Sequence, residues 1–268
     1  MGDGLCVVAR TPSHRTLVVD CGTSSWRRGD LVGEKLTAPY LQRLGVDRVD
    51  ALVLTHPHLD HVSGCAGLLQ IKPASLVVDL GTAHRSPAYT SFLRAVRESG
   101  AIYRKAAKGQ TLELGGGAVA EVLSPDPNGN YKDLNDRSIV LRVTYGNARI
   151  LLMADAGEEV ETGLLESGAD LRSQVLLVGH HGSASASSAA FLAAVRPAVA
   201  VISCARNSQH GFPARDTLER LNCSGARVYV TGRHGAVTVT TDGEDVAVST
   251  MNTDGEAAQA DAPVLRNR

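Results

Sequence analysis

"LVLTHPHLDHVSG", Leu52 to Gly64, places three histidines and an aspartate within six positions, directly behind a run of branched aliphatic residues. A strand end is a rigid platform, and the turn after it can fold polar side chains back toward one point. Histidine and aspartate are ligands that Zn²⁺ or Mn²⁺ accept. The H-x-H-x-D-H spacing sets His56 beside His58 and Asp60 beside His61, which suits two adjacent ions. Histidine is uncommon, so a chance cluster of this density is a poor explanation.

Working outward, short apolar runs alternate with helical patterns. "LCVVAR" and "RTLVVDCG" flank a turn and read as a hairpin ending at Asp20. "EKLTAPYLQRLGV" spaces Leu36, Tyr40, Leu41 and Leu44 as a helix, with Pro39 near its start. "DALVLTH" is a buried strand, "GCAGLLQ" a helix and "SLVVDLG" a strand. "SPAYTSFLRAVRESG" is a helix capped by Ser86, with Pro87 at its first position and Gly100 at its end. The second half repeats the scheme: two strands around a glycine turn from Gly109, then a hairpin through "YGNA". Helices and strands then alternate up to "RVYVTG", which pairs with "AVTVTTDGEDVAVST" in a closing hairpin. Two halves of mixed strands followed by alternating helices bury their apolar faces most simply as two packed sheets with helices outside. No linker separates them, so residues 1–250 read as one domain; the tail 251–268, poor in apolar residues, reads as disordered.

Composition narrows the function. The chain has 268 residues, 43% of them hydrophobic, and a net charge of −1, so any nucleic-acid surface must be a local patch. Five cysteines without a C-x-x-C pair read as free thiols and lean toward a reducing compartment. No stretch approaches the roughly 18 apolar residues of a membrane span, and no signal peptide is visible. The G-x-S-x-G elbow and the Walker loop are both absent, which removes support for acyl-enzyme and nucleotide-triphosphatase chemistry. "MGDG" leads abruptly into a strand, as if a preceding strand belonged to a longer protein.

Two further strand ends carry candidates. Asp155 in "RILLMADAG" reads either as a helix cap or as a carboxylate bridging two ions. In "VLLVGHHGSASAS", His180 is the expected ligand, His181 a neighbouring substrate or catalytic group, and Ser183 a donor to a substrate oxygen.

"THPHLDHVSG" resembles the first metal motif of the metallo-β-lactamase-fold hydrolases, whose fold is a four-layer αββα sandwich with a dinuclear site at one edge. The segments "RTLVVDCG", "NDRSIVLRVTYGNARILLMAD", "VLLVGHHGS" and "VYVTGRHGAVTV" narrow the resemblance to the hydrolase domain of the ComEC family of DNA-uptake proteins, from about Met1 to Val239. That resemblance implies two divalent ions (Zn or Mn) on His56, His58, Asp60, His61, Asp155 and His180. It makes Asp155 the bridge, with Ala154 where the family has glycine. Asp20 is similar to an aspartate that orients a ligand histidine, although a plain turn aspartate would look the same. Asn135 and Ser138 stand where other branches have a third histidine motif. His210, near Phe212-Pro213, either replaces the family's histidine there or lies on the surface. Arg206, Arg233 and His234 are in loops that can face the same pole; Arg27-Arg28 and Arg104-Lys105-Lys108 read as solvated surface.

The activity implied is cleavage of a DNA phosphodiester by a water that the two ions activate, with Asp60 and His181 as catalytic groups and Asn135, Ser138, Ser183 and His210 toward the substrate. A small-molecule hydrolase and a non-enzymatic module of a competence assembly are the alternatives. DNA and a membrane competence protein are the partners implied. A free-standing chain would lie in the cytoplasm, and a fragment of a ComEC-like protein on the extracellular face of the membrane.

Overall fold

Period-two burial along the strands decides the layers. In the computed structural model, which describes residues 2–24, 29–126, 129 and 131–252, Leu17 and Val19 of one strand point into one apolar cluster while Val18 between them points into another. Leu151 and Leu152 divide in the same way on a second sheet. Each central strand is therefore apolar on both faces, which is how strands covered by helices on one side and a sheet on the other must read.

The first sheet contains β1 (Val7–Arg10), β2 (Thr16–Val19), β3 (Val49–Val53), β4 (Ala74–Asp79) and β5 (Ile102–Lys105), in that order. β1 and β2 are antiparallel, with Val8 opposite Val18; every later neighbour is parallel. Over its outer face lie α1 (Gly29–Val32), α2 (Ala38–Arg43), α3 (Leu59–Val62), α4 (Cys65–Ile71) and α5 (Pro87–Ser99). The second sheet runs from β6 (Thr111–Gly115) through β7 (Ala118–Ser124), β8 (Val140–Tyr145), β9 (Ala148–Leu152), β10 (Val175–Leu177) and β11 (Val199–Ile202) to β12 (Arg227–Val230). It is antiparallel from β6 to β9 and parallel from β9 to β12. Its outer face is covered by α6 (Glu158–Glu166), α7 (Ala189–Val195) and α8 (Arg215–Cys223); the short α9 (Thr231–His234) leads into a separate hairpin of β13 (Val237–Thr241) and β14 (Val246–Thr250). The inner faces share one core, with Val53, Val78, Val122, Leu141 and Val199 among its members. Helix, sheet, sheet and helix give the four-layer αββα sandwich.

Three local expectations are corrected. The strand Ile102–Lys105 carries no apolar alternation because all four residues are exposed on a sheet edge, so nothing in its pattern marks it. Arg227–Val230 does not pair with the closing hairpin but joins the second sheet beside β11. Leu36 and Tyr40 do not face the core: they are 52% and 47% exposed, whereas Leu41 is buried as expected and Ala38 is buried with it. Pro39 has no N–H to give the preceding turn, and that turn, Gly33–Thr37, widens to a π-type turn closed by Ala38 N–H on Gly33 O. The Ser86 cap and the left-handed Gly100 end of α5 are as expected, and all five cysteines are free thiols. Arg27-Arg28 and the tail beyond residue 252 lie outside the described residues. Among the described residues no helix is long and apolar enough to cross a membrane.

The parallel strands of both sheets end at one edge: there Asp20 N–H donates to Val53 O and extends the β2–β3 pairing, and Ile139 N–H donates to Thr55 O and joins the two sheets. Gly22 packs so closely there that an added Cβ would lie 2.3 Å from the Asp60 carbonyl. Gly22→Ala is expected to destabilise the fold by about 1–3 kcal/mol, read as a lower urea midpoint in metal-free protein.

Candidate metal centre

After β3 the chain stays extended through His58 (φ −66°, ψ 153°) and then turns into α3. In extended backbone, residues two apart share a face, so His56 and His58 point the same way, with His56 Nε2 3.0 Å from His58 Nδ1. Asp60 and His61 follow on the helical turn. Leu5 N–H donates to Asp60 O, and Cys21 N–H to His61 O, which ties this turn to the N-terminal strands.

Asp155 follows β9. Gly157, not Asp155, occupies the N-cap position of α6, so the carboxylate is free to face inward, and it is buried. After β10, His180 and His181 both take left-handed backbone (φ 47° and 53°), followed by Gly182 at φ 79°. This tight turn sends the two imidazoles in different directions. His181 enters the Asp60–His61–Asp155 group, whereas His180 turns toward Phe212, ring centroids 5.7 Å apart. The expectation placed His180 in the ligand set; the structure brings His181, and not His180, to the Asp60–His61–Asp155 group.

Two groups of potential ligands result: His56, His58 and Asp155, and Asp60, His61, Asp155 and His181. Asp155 belongs to both, one oxygen toward each. Its Oδ2 lies 3.7 Å from His56 Nε2. Its Oδ1 lies 3.1 Å from His61 Nε2 and 3.5 Å from His181 Nε2. Asp60 Oδ2 is 3.2 Å from His181 Nε2 and 3.9 Å from His61 Nε2. Ligand atoms about 2.1 Å from one ion in a tetrahedral arrangement stand roughly 3.4 Å apart, and these separations bracket that value. His61 Nε2 and Asp155 Oδ1 are also buried and face each other across this gap without forming an aligned hydrogen bond, an arrangement a cation between them would satisfy. Donor types, spacing and this facing pair all fit a divalent cation.

The far side of each ring is fixed. His61 Nδ1 lies 2.7 Å from Asp20 Oδ2, and Asp20 also accepts from Thr55 N–H and Thr55 Oγ1–H, each at 2.7 Å. His181 Nδ1–H donates to Ser203 O at 2.6 Å. His56 Nδ1 stands 3.2 Å from Thr55 Oγ1 and 3.3 Å from Ser138 Oγ. Each of these contacts occupies Nδ1 and leaves Nε2 for the shared site.

Electrostatics separate the two groups. Burial, reinforced by His61, holds His56 well below the usual imidazole range, so its ring is neutral. Burial also opposes charge on His61, but Asp155 and Asp20 outweigh it and hold that ring well above the usual range. On His181 the opposing burial is outweighed by Asp60 and Asp155, and the pKa is raised. Burial works against charge on Asp155 and Asp60 as well. Facing histidines prevail at both, lowering Asp60 and holding Asp155 well below the carboxylate range. Metal-free, the His61–His181 group is an ion-paired cluster whose Nε2 protons a cation must displace.

The other expected residues are spread more widely. Ser138 is fully buried, with its hydroxyl 3.3 Å from His56 Nδ1. Ser183 is buried and its hydroxyl pairs with Ser185 Oγ at 2.9 Å. Asn135 opens a short 3-10 turn, and its buried Oδ1 has no hydrogen-bond partner. His210 is exposed and stacks on Phe212. His234 turns back on its own helix, accepting from Val230 N–H, and Arg233 is exposed. Arg104 and Lys105 lie on the exposed edge strand, while Lys108 pairs with Asp126 at 2.9 Å.

Residues not singled out from the sequence include Thr55, Ser203, His84 and Asp3. His84 lies 6.4 Å from His58 between ring centroids. Buried Asp3 accepts from Ala205 N–H and Ser208 Oγ–H, which fastens the 203–210 loop. A threonine directly before His56 was the one available sign of Thr55; the others are long-range partners with no local pattern.

Asp20→Asn would turn an amide donor toward His61 Nδ1 and shift the ring proton to Nε2. Affinity for Zn²⁺ should fall about 10–100-fold, measured by chelator competition. Because His61 and His181 hold their protons above the ordinary imidazole value of about 6.5, metal affinity should keep rising with pH beyond that value. Calorimetry in buffers of different ionisation enthalpy should show protons released on binding near pH 7.

Residues 2–206 match the metallo-β-lactamase superfamily. ComE operon protein 3 of Bacillus subtilis is 30% identical over 246 residues, covering 88% of this chain and 31% of that protein. Competence protein ComA of Neisseria gonorrhoeae is 32% identical over 237 residues, covering 88% and 30%. The chain thus spans about three tenths of the length of these curated relatives. Among solved structures, Igni18, a metallo hydrolase from the archaeon Ignicoccus hospitalis, superposes over 94% of this chain and 98% of its own with a TM-score of 0.51. At 13% identity it speaks for the fold alone. The match runs through both sheets and every strand end that carries a candidate ligand: the chain belongs to the metallo-β-lactamase superfamily and resembles competence proteins over most of its length.

Proposed function

We propose that this metal-dependent hydrolase is a phosphodiesterase that cleaves DNA, as part of DNA uptake. The observation that carries the reading is the pair of ligand groups sharing Asp155, a spacing suited to two ions on one phosphate. Its similarity to proteins named for competence supports DNA as the substrate and a membrane competence protein as partner.

His56, His58 and Asp155 would hold one ion, and Asp60, His61, Asp155 and His181 the other. When bound, divalent ions acidify water and offset the negative charge that gathers on a phosphate during hydrolysis. The chain's own residues supply the rest. Asp20, Thr55 and the Ser203 carbonyl fix the imidazoles, so the site is organised before substrate arrives. Asp60 is the more open of the two site carboxylates, 25% exposed against 4% for Asp155. It is placed to take the proton of the attacking water and return it to the departing sugar oxygen. Ser138 keeps His56 in place.

Purified protein with Mn²⁺ or Zn²⁺ should cleave an end-labelled oligonucleotide. A chelator should stop the reaction, and His61→Ala should leave only the background of chelated protein. Turnover of a lactone or thioester, with no DNA cleavage under any divalent metal, would move the reading to a small-molecule hydrolase.

A further inference from the structure

Aromatic side chains are scarce, at 4% of the sequence, and two of the three phenylalanines, Phe92 and Phe191, are completely buried. The third, Phe212, is half-buried at the metal edge. Its ring stacks on His181 with centroids 6.2 Å apart and planes 23° apart, and on His210 at 5.5 Å and 28°. These fall in the offset-stacking range. The rings form a series that begins at a candidate ligand histidine and ends at His210, which is exposed. One side of Phe212 rests on the core of the second sheet.

The series is held firmly. Ala214 N–H donates to Gly182 O at 2.8 Å, directly after the histidine turn. Gly182 lies so close to Pro213 that an added Cβ would be 2.9 Å from the proline Cβ. On the other side, Ser208 Oγ donates to buried Asp3 and accepts from His210 N–H. Exposed rings are mobile unless fixed, and this pair is tied at one end to the turn that carries His181 and at the other to buried Asp3.

We propose that His210 and Phe212 form a stacking ledge for an unpaired nucleobase next to the phosphate being cleaved, so that the site takes single-stranded DNA in preference to duplex. This rests on the phosphodiesterase reading above. The physical reason is that every base has a π-face that extends an aromatic stack whatever its identity, and in a duplex that face is covered by neighbouring pairs. A net charge of −1 gives the chain no general attraction for the backbone, so base stacking would add to the hold that the metal edge has on the phosphate.

The test compares kcat/KM of the full chain with Mn²⁺ on a single-stranded oligonucleotide, its duplex, and a strand of equal length whose bases are replaced by abasic tetrahydrofuran units. Wild type should prefer the base-bearing single strand over both. Phe212→Leu keeps apolar volume against the core but removes the ring. It should raise KM on the base-bearing strand roughly 5- to 150-fold and bring the ratio of base-bearing to abasic cleavage toward one. His210→Ala should act in the same direction, and Phe212→Tyr should restore the preference. Wild type that cuts base-bearing and abasic strands alike, or Phe212→Leu with an undiminished preference, would overturn the ledge alone. Should wild type cut no DNA, quenching of a 2-aminopurine oligonucleotide that Phe212→Leu abolishes would retain the ledge and overturn the hydrolytic reading. Absence of both signals would overturn the two together.

Discussion

A buried carboxylate shared between two ligand groups is the constraint around which this protein is built. Asp155 sits almost out of reach of water at the edge where both sheets end. A charge in such a place is very costly unless opposite charge meets it. Histidines from two strand ends supply that compensation: His61 after β3 and His181 after β10. They can meet only if the two sheets pack face to face with their parallel strands ending together. The apolar core between the sheets and the polar cluster at its rim are thus parts of one arrangement.

Holding that arrangement requires backbone that side-chain-bearing residues seldom adopt. Asp20, Ala154, His180 and His181 all have φ between 47° and 57°, and all lie where a strand runs into the centre. Such conformations cost roughly 1–2 kcal/mol each and persist where surrounding structure over-determines them. Here the over-determination is visible: Asp20 is fixed by Thr55 and His61, and the Ala154 carbonyl accepts from His180 N–H. Ala154 stands where the resembling family has glycine, and its positive φ is the reason glycine suits that place.

Much of the site was legible in local sequence. H-x-H-x-D-H following an aliphatic run is a dense signal because extended backbone and a helical turn each align neighbours in known ways. Asp155 was open between a cap and a ligand; the place of Gly157 at the helix start removes the cap reading. The choice between His180 and His181 was not readable, since adjacent histidines have the same chemistry and only the left-handed turn decides which ring enters. Ser138 reads as a substrate group from its company with Asn135, and the turn that leads into β8 sets its hydroxyl against His56 Nδ1. The strand Ile102–Lys105 was invisible because a solvent-covered edge imposes no apolar period.

By itself, the sequence determined the layered α/β architecture and the presence of a metal-binding histidine motif. Both depend on interactions a few residues apart: strand alternation, helix periodicity, and ligands within one turn. The tertiary structure decided which distant groups complete the site. His181, and not His180, was brought to Asp60, His61 and Asp155, Asp20 and the Ser203 carbonyl became the partners of His61 and His181, and Phe212 was brought against His181. Those contacts are set by the packing of two sheets and the backbone angles at their rim, and no local pattern encodes the distance between groups 22 to 41 residues apart in the chain.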